Sequence, residues 1–520
     1  MVEVEIQKQP VAVIDIGSSA IRMVIAELGA KAEIRYLENL QKTVRLGKDV
    51  FISGRISHPV MREAITVLKN FKVVLQGYGI KKIQTIATSA VRDAVNRDNF
   101  IDQVYVQTGF DMEVLEGPEE NRLELIAVEH ALAGKFELEK KNCLIVEVGS
   151  GSTEMIILNQ GELQITRTLT LGSIRLPEQA VAGKTDSSVI QRVLKRSIHD
   201  IAAYAAKEYS FEQLDTFIAL GADMRFVARQ LIEKLTETFA ILEKKAFLAF
   251  VTKISKLSPE EIVSEYSLPY GEAEALYASL LIYSNFLAET KSEIVVIPRV
   301  SIRDGLLLEL AQMLSGYKRT DVSKQVIHSA RHLGEKYDYD KNHALCVSSL
   351  SLKLFDLLKQ EHGLGTRERL LLEVSAVLHD IGAYISPNAH HKHSSYLIKA
   401  AEIFGLRKAE KDIVSNVVRY HRRSTPQPTH LAYMSLPKMD RPVVCRLAAI
   451  LRVADALDHS HQQKIRSFVL ERTDEAYHLW VPDEAGDIAL ERDGLREKGD
   501  MFTDVFGVPI ALKQGSPVKV

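Results

Sequence analysis

Two segments of this chain place an acidic residue and a small glycine–serine turn between two apolar runs. They are Val13–Ala20, which reads VIDIGSSA, and Ile145–Ser152, which reads IVEVGSGS and begins 132 positions later. β-Branched runs on both sides of a small turn predict a β-hairpin. Such turns let backbone N–H groups approach phosphate oxygens, and the carboxylates Asp15 and Glu147 can hold Mg²⁺. The duplication predicts two related halves that clamp a polyanion, although it would also fit two ordinary hairpins left by an old duplication.

A Gly-Pro turn runs into an acidic helix start between the two hairpins, at Gly117–Leu123. A carboxylate there, such as Glu120, could orient or deprotonate an attacking water. The ordinary explanation is that acidic residues favour the first turn of any helix. Upstream, the small-residue segment Ala87–Asp93 carries Arg92. Its guanidinium could bind phosphate, or it could pair with Asp93 on the surface.

A set of histidines and aspartates follows in the C-terminal part of the chain. His379 and Asp380 are adjacent at the end of a helical pattern, and adjacent His and Asp side chains can bind one metal ion. The other candidate partners, in chain order, are His343, His393, His421 and Asp455. The tract His390–His393 and the arginines near His421 could also form a basic surface for a polyanion, or an ordinary solvated cluster.

Alternating strand and helix patterns surround the two hairpins. Strands are predicted at Lys82–Ala87, Asp111–Leu115 and Thr216–Leu220, and helices at Asn96–Thr108, Glu119–Ala133, Ser187–Tyr209 and Met224–Leu231. This alternation predicts layered α/β domains. After a polar break at Lys318–Asp321 the pattern becomes almost wholly helical to about Ser460, and the tail from Ile465 returns to strand-like alternation with glycine breaks.

Composition limits the classes of function. The 520 residues carry a formal net charge of −2, which provides no global field for nucleic acid or acidic membranes. The three cysteines lack metal-type spacing and are predicted to be reduced core thiols. No apolar run is long enough to span a bilayer, and no apolar signal region begins the chain. These features predict a cytoplasmic protein.

The order of these segments resembles the exopolyphosphatase/guanosine-pentaphosphate phosphatase family, known as Ppx/GppA. The two turns, Ala87–Arg92 and Gly117–Leu123 carry the resemblance together with Thr170–Leu176 and Ile302–Leu306, over roughly residues 10–310. The resemblance implies two actin-like domains of the sugar kinase/Hsp70-type ATPase fold, with the active site in the cleft between them. It further implies a homodimer that acts on inorganic polyphosphate or on guanosine pentaphosphate.

The resemblance also assigns roles to residues of this chain. Glu120 would be the catalytic base and Arg92 a phosphate ligand. Asp15, Glu147 and Glu154 would arrange Mg²⁺ and the phosphates. The residues of the two phosphate loops would be Gly17, Ser18, Ser19, Gly149, Ser150, Gly151 and Ser152.

The histidine and aspartate set resembles the HD superfamily of metal-dependent phosphohydrolases. His343, His379, Asp380 and Asp455 match its four metal positions, and His393 and His421 match the extra ligands of two-metal members. The complete set leaves two alternatives open: a second metal site that would take a divalent transition metal, or a relic helical domain that binds or positions long polyphosphate. The expected domains are residues 1–125 and 126–315 (actin-like), 320–464 (all-α, HD-type) and 465–520 (a small α+β appendage).

Several positions depart from the Ppx/GppA pattern. Glu147 stands where Asp is usual, Ser150 replaces a glycine, Gly17–Ala20 lacks the usual Gly-Ser-Asn-Ser, and Gly221–Met224 replaces a Gly-Gly-Thr-like turn.

These departures leave several functions open. The first is phosphoanhydride hydrolysis in the cleft. The others are an HD phosphohydrolase with the N-terminal halves as a sensor, a non-catalytic polyphosphate or alarmone-binding regulator, and a sugar-kinase-like ATPase, against which the acidic helix start and the HD resemblance argue.

Overall fold

The computed structural model describes residues 9–29, 33–175, 187–205, 209–232, 238–315 and 323–515. They divide into two compact units, Met1–Val322 and Ser323–Val520, which we call unit 1 and unit 2. The polar break predicted at Lys318–Asp321 lies outside the described residues.

The first half of unit 1 is a five-stranded mixed sheet in the order β3-β2-β1-β4-β5. Its strands are β1 (Gln9–Ile16), β2 (Ala20–Leu28), β3 (Ile34–Thr43), β4 (Lys82–Ala87) and β5 (Met112–Val114). Its helices are α1 (Leu46–Ser53), α2 (His58–Gly77), α3 (Ser89–Asp93), α4 (Arg97–Thr108) and α5 (Gly117–Leu132). The antiparallel hairpin β1–β2 continues into the parallel strands β4 and β5. Both faces of β1 and β2 are buried, which explains their almost continuous apolar sequence.

The second half repeats this plan in a six-stranded sheet of order β10-β11-β9-β6-β7-β8. Its strands are β6 (Asn142–Val148), β7 (Thr153–Asn159), β8 (Glu162–Leu169), β9 (Thr216–Ala219), β10 (Phe239–Glu243) and β11 (Ile294–Pro298). Its helices are α6 (Ser187–Ala205), α7 (Ala222–Leu231), α8 (Lys244–Ile254), α9 (Pro259–Tyr266), α10 (Tyr270–Ala288) and α11 (Ile302–Ser315). The predicted strands and helices of both halves are present, with ends shifted by a few residues.

The two hairpins have the same register. Asp15 lies opposite Arg22 on β1–β2, and Glu147 lies opposite Glu154 on β6–β7, each 132 positions on. Each turn is closed by one backbone hydrogen bond, from Gly17 N to Ala20 O (3.1 Å) and from Gly149 N to Ser152 O (2.9 Å). The sequence repeat is therefore a repeat of strand pairing and of turn geometry.

Unit 2 is mainly helical. Its helices are α12 (Ser323–Lys336), α13 (Lys341–Leu357), α14 (Lys359–His362), α15 (Thr366–Leu378), α16 (His390–Ala400), α17 (Lys408–Arg419), α18 (Leu431–Met434), α19 (Asp440–Ala456), α20 (Ala489–Lys498) and α21 (Asp500–Phe506). Helix α19 is buried on almost every side from Leu447 to Ala456, and so forms the centre of this unit.

A small sheet ends unit 2. Strands β12 (Val469–Arg472), β13 (Tyr477–Val481) and β14 (Ile510–Gln514) form it in that order. The strand-like tail predicted from Ile465 is thus present and contains two helices as well. None of the described helices combines the length and apolar character that a membrane crossing requires.

Candidate active site

A cavity of about 410 Å³ lies between the two halves of unit 1. Both hairpin turns line it, as do the first turns of α5, α7 and α11. The predicted residues on its wall are Asp15, Gly17, Ser18, Ser19, Glu120, Glu147, Gly149, Ser150, Ser152 and Glu154. The structure therefore brings the two duplicated segments and the acidic helix start to one place.

Eight acidic side chains of the described residues line this cavity. Asp15, Glu147 and Glu154 come from the hairpins, and Glu120 and Glu124 come from successive turns of α5. The other three are Asp223 on α7 and Glu272 and Glu274 on α10. Burial raises the pKa of Glu154 well above its ordinary value, and the Glu120 carboxylate adds to the effect. Burial raises the pKa of Glu124 strongly, and the neighbouring carboxylates of Glu147 and Glu154 add to the rise.

Glu120 is held by Arg92. The Arg92 guanidinium donates to Glu120 Oε1 and to the carbonyl of Leu115, the latter at 2.7 Å. Burial raises the pKa of Glu120, whereas Arg92 opposes that rise. The predicted phosphate ligand Arg92 thus contacts the predicted base and is not among the residues that line the cavity. Its role toward phosphate stays a prediction.

The two turns are tightly packed. Ser18 and Ser89 share a hydrogen bond between their hydroxyls at 3.0 Å. A Cβ on Gly151 would lie 2.2 Å from the Phe51 ring, and one on Gly172 would lie 2.3 Å from the Ser150 carbonyl. Gly151 itself faces Phe51 and Ser89, while its neighbours Ser150 and Ser152 line the cavity.

The described residues that line the cavity also include five arginines: Arg22, Arg45, Arg225, Arg229 and Arg303. Arg22 and Arg303 each place Nη1 4.0 Å from Asp15 Oδ2. The Nε and Nη1 atoms of Arg303 are buried and find no hydrogen-bond acceptor among the described residues. The cavity therefore offers cationic groups to a bound anion.

The residues of this cavity fit a hard divalent cation. Glu147 Oε2 and Glu154 Oε1 are buried oxygens that receive no hydrogen bond from any residue that the structure describes. Carboxylate oxygens are the ligands that Mg²⁺ prefers, and phosphate oxygens commonly complete its shell. Asp15, Glu147 and Glu154 are the residues that would hold it.

Unit 2 contains a second group of interest, which we call the His/Asp cluster: His343, His379, Asp380, His390, His421 and Asp455. Two triads within it could each hold a metal ion, and both use Asp380: one with His343 and His379, the other with His390 and His421. Asp380 turns Oδ2 toward His379 at 3.6 Å and Oδ1 toward His390 at 3.3 Å. Asp455 adds Oδ1 to the first triad, 3.5 Å from His343 Nε2.

Neighbouring charges and burial shift the pKa values of the residues in the His/Asp cluster. Burial opposes charge on Asp455, yet the Lys498 ammonium, 2.5 Å from Oδ2, holds the pKa of that carboxyl well below its usual range. Burial also disfavours protonated His343, but Asp455 and Asp458 outweigh it and raise the pKa of His343 to about 9. Burial lowers the pKa of His421 to about 3, so its ring stays neutral and able to ligate.

The structure differs from the predicted cluster at one histidine. His390, the first residue of α16, reaches Asp380, while the predicted His393 belongs to neither triad. The start of α16 packs closely on Gly382, where a Cβ would lie 2.3 Å from the His390 carbonyl. This close approach brings the His390 ring to Asp380.

Sequence reasoning missed several residues of both sites. Glu124 lies one helical turn after Glu120, a spacing that could have indicated it. Arg22 sits at the hairpin position that corresponds to Glu154. Lys498 lies 43 positions from its partner Asp455, and no local pattern indicates it.

Comparison with known proteins gives one family for both units. The model described as "Ppx/GppA phosphatase family" matches residues 24–314, and "Ppx/GppA phosphatase, domain III" matches residues 327–496. A guanosine-5'-triphosphate,3'-diphosphate pyrophosphatase of Photobacterium profundum is 24% identical over 470 residues, 88% of this chain and 90% of that protein. One of the same name from Aliivibrio fischeri is 24% identical and covers 89% of this chain and 92% of its own length.

A solved structure shows the same fold. The exopolyphosphatase from Cytophaga hutchinsonii ATCC 33406 superposes with a TM-score of 0.53 at 21% identity, over 60% of this chain and 99% of its own. The predicted actin-like α/β fold of the N-terminal half is therefore confirmed. With family models that together span most of its length, this chain belongs to the Ppx/GppA phosphatase family.

Proposed function

We propose that the unit 1 cavity hydrolyses the terminal phosphoanhydride bond of a polyphosphorylated substrate. One observation carries the proposal: Glu120 is buried beside two small turns that face each other, and Arg92 holds its carboxylate in place. The turns suit phosphate oxygens, and the carboxylate suits an attacking water. Hydrolysis uses both features together.

The proposed reaction is a direct displacement. The water oxygen attacks the terminal phosphorus, and the bond from that phosphorus to the bridging oxygen breaks. Glu120 accepts the proton of the water, and the products are inorganic phosphate and a chain one phosphate shorter. Arg92 keeps the Glu120 carboxylate oriented, while the turn amides and cavity arginines stabilise the phosphate charge. Mg²⁺ bound by Asp15, Glu147 and Glu154 would neutralise part of that charge.

The substrate is either guanosine pentaphosphate or inorganic polyphosphate, and the cavity favours the nucleotide. Phe226, Leu268, Pro269 and Leu276 give part of its wall an apolar character. An inorganic chain has no apolar part to bury there, whereas a nucleoside has a base and a ribose. The names of the relatives from Photobacterium and Aliivibrio agree with a guanosine substrate.

Phosphate release from both substrates with Mg²⁺ tests this function. We expect Glu120→Gln to lower kcat by about 10²–10⁴-fold, the usual contribution of a positioned base. Glu116→Gln, at the N-terminal cap of the same helix, is the matched control and should keep full activity. A wild-type protein inactive on both substrates, or a Glu120→Gln variant as active as the control, contradicts the proposal. Binding without turnover would instead indicate a regulator of the alarmone-binding type.

The His/Asp cluster supports a second candidate function, a metal-dependent phosphohydrolase. The supporting observation is the pair of triads that share Asp380. Their histidines are the buried His343, His379 and His421 and the half-buried His390. Imidazole nitrogens suit Fe²⁺ or Zn²⁺ better than Mg²⁺, and the shared carboxylate suits Mn²⁺ as well. Among the described residues Asp380 Oδ1 has no hydrogen-bond donor, which fits a carboxylate that would hold a cation.

Metal binding distinguishes this candidate. We expect the full chain to bind Mn²⁺ in titration calorimetry, and Asp380→Ala to lose the share of that binding that the cluster supplies, because it removes a ligand from both triads. Asp474→Ala, in an exposed turn of unit 2, is the control. Equal Mn²⁺ binding by the two variants, or no binding by the wild type, rules out a metal-dependent enzyme at the cluster.

A further inference from the structure

The internal repeat of unit 1 extends beyond the hairpins to the arginine that holds Glu120. In each half a strand pairs in parallel with the first hairpin strand, β4 with β1 and β9 with β6. A helix follows each of these strands, α3 from Ser89 and α7 from Ala222. The fourth residue of α3 is Arg92 and the fourth residue of α7 is Arg225. The two halves thus place an arginine at corresponding positions.

The backbone contacts of the two arginines also correspond. Arg92 Nη1 donates to the carbonyl of Leu115, which follows β5, at 2.7 Å. Arg225 Nη1 donates to the carbonyl of Val300, which follows β11 within two residues, also at 2.7 Å. Strands β5 and β11 are the parallel neighbours of β4 and β9. Each guanidinium therefore donates to a backbone carbonyl at the corresponding position of its half.

The carboxylate partner is where the halves differ. Glu120 is the fourth residue of α5, the helix after β5, and it pairs with Arg92. The fourth residue of α11, the helix after β11, is Gly305. A Cβ on Gly305 would lie 2.2 Å from the Leu123 carbonyl of α5, so a side chain cannot occupy this position. Arg225 consequently lacks the partner that the repeat supplies to Arg92.

Arg225, which has no carboxylate partner of this kind among the described residues, lies where a ligand could reach it. Arg225 lines the cavity, whereas Arg92 does not. In the part of the chain that the structure describes, no carboxylate oxygen lies within 4.0 Å of the Arg225 guanidinium. The carboxylates of Glu147, Asp304 and Asp223 act on its charge from longer range. The cations Arg303 and Arg22 oppose them. A largely enclosed guanidinium without a close counter-charge is costly, and a bound anion removes that cost.

We propose that Arg225 binds a phosphate group of the substrate. The inference rests on the proposed function, because it takes the phosphate chain to lie between the two hairpin turns. Arg92 serves the reacting end of that chain through Glu120, and Arg225 holds a phosphate from the second half. The ligand class is a polyphosphate chain, with or without a nucleoside.

Binding of tripolyphosphate, measured by titration calorimetry without turnover, tests this role. The comparison is between Glu120→Gln and the double variant Glu120→Gln/Arg225→Gln. A charge-assisted hydrogen bond is worth enough that we expect about 10–100-fold weaker binding in the double variant. Arg196→Gln on the same background is the control, since Arg196 is exposed on α6 and its loss should leave binding unchanged.

Arg225→Lys on the same background provides a second variant in case loss of the Val300 contact impairs folding. It keeps the charge and loses the bidentate fork, so we expect binding weaker than that of the Glu120→Gln parent and tighter than that of the Arg225→Gln double variant. Binding within about twofold of the parent in both Arg225 variants overturns the inference and leaves the proposed function intact. Absence of any hydrolysis by the wild type, with the binding difference present, overturns the proposed function instead.

Discussion

At the residue scale, burial and neighbours decide what each carboxylate can do. Glu120 and Glu119 are adjacent and both buried, but Glu119 pairs with Arg122 and Glu120 pairs with Arg92 at the cavity. Of these two glutamates, Glu120 alone lines the cavity. Adjacent residues on a helix point in directions about 100° apart, so one of two like side chains can serve structure and the other chemistry.

Glu129 is a half-buried carboxylate outside the cavity, and its burial should make the stability of the protein depend on pH. Burial raises the pKa of Glu129 to about 7 from an ordinary value of 4.5, and Glu139 adds to the rise. Between these pH values the folded state holds the proton and the unfolded state has lost it. Stability contributed by this group therefore falls as pH rises from about 4.5 to 7.

Glu129→Gln should remove this pH dependence. At pH 8 we expect the variant to be more stable than wild type by on the order of 1–3 kcal/mol, and at pH 4 equally stable. Urea unfolding at the two pH values measures this. The exposed Glu212→Gln serves as control, and an equal stability difference at both pH values contradicts the assigned burial.

At the element scale, two helices that begin at corresponding places pack against each other. Helices α5 and α11 follow β5 and β11 and meet where Gly305 approaches Leu123. This contact keeps α5, and with it Glu120 and Glu124, at a fixed distance from the hairpins. A glycine is required because the backbone of α5 occupies the place of a side chain.

Gly305→Ala should therefore destabilise unit 1 although alanine favours helices. Backbone must move to admit the methyl group, and such overpacking costs about 1–3 kcal/mol. Gly77→Ala, in helix α2, would place its methyl group with no atom within 4 Å, and should be neutral or slightly stabilising. Free energies of unfolding in urea compare the two, and an equally tolerated Gly305→Ala would show that α5 and α11 are not tightly coupled.

At the scale of the whole molecule, each of the two compact units contains its own cluster of charged side chains. The carboxylates of unit 1 converge with arginines and small turns, while those of unit 2 converge with histidines. Oxygen-only ligands favour Mg²⁺, and mixed nitrogen and oxygen ligands favour transition metals. The two sites are thus chemically distinct within one chain.

Asp380→Ala and Glu120→Gln should consequently separate Mn²⁺ binding by unit 2 from phosphate release by unit 1. We expect Asp380→Ala to retain Mg²⁺-supported phosphate release and to lose the share of Mn²⁺ binding that the cluster supplies, and Glu120→Gln to do the reverse. Phosphate release and Mn²⁺ calorimetry on both full-length variants measure this. Loss of phosphate release in Asp380→Ala alone would move the chemistry to unit 2 and make unit 1 the sensor.

The sequence by itself determined the duplicated hairpins, the acidic helix start and the histidine-rich helical region, because strand alternation, helical spacing and turn chemistry are local. The family resemblance carried by these segments predicted Asp15, Glu120 and Glu147 at one cleft. Only the tertiary structure decided which long-range partners meet: Arg92 with Glu120, Glu124 with Glu147, His390 in place of His393, and Lys498 with Asp455. Such contacts depend on how close two backbones approach, as at Gly305 and Gly382, and local spacing carries no information on that distance.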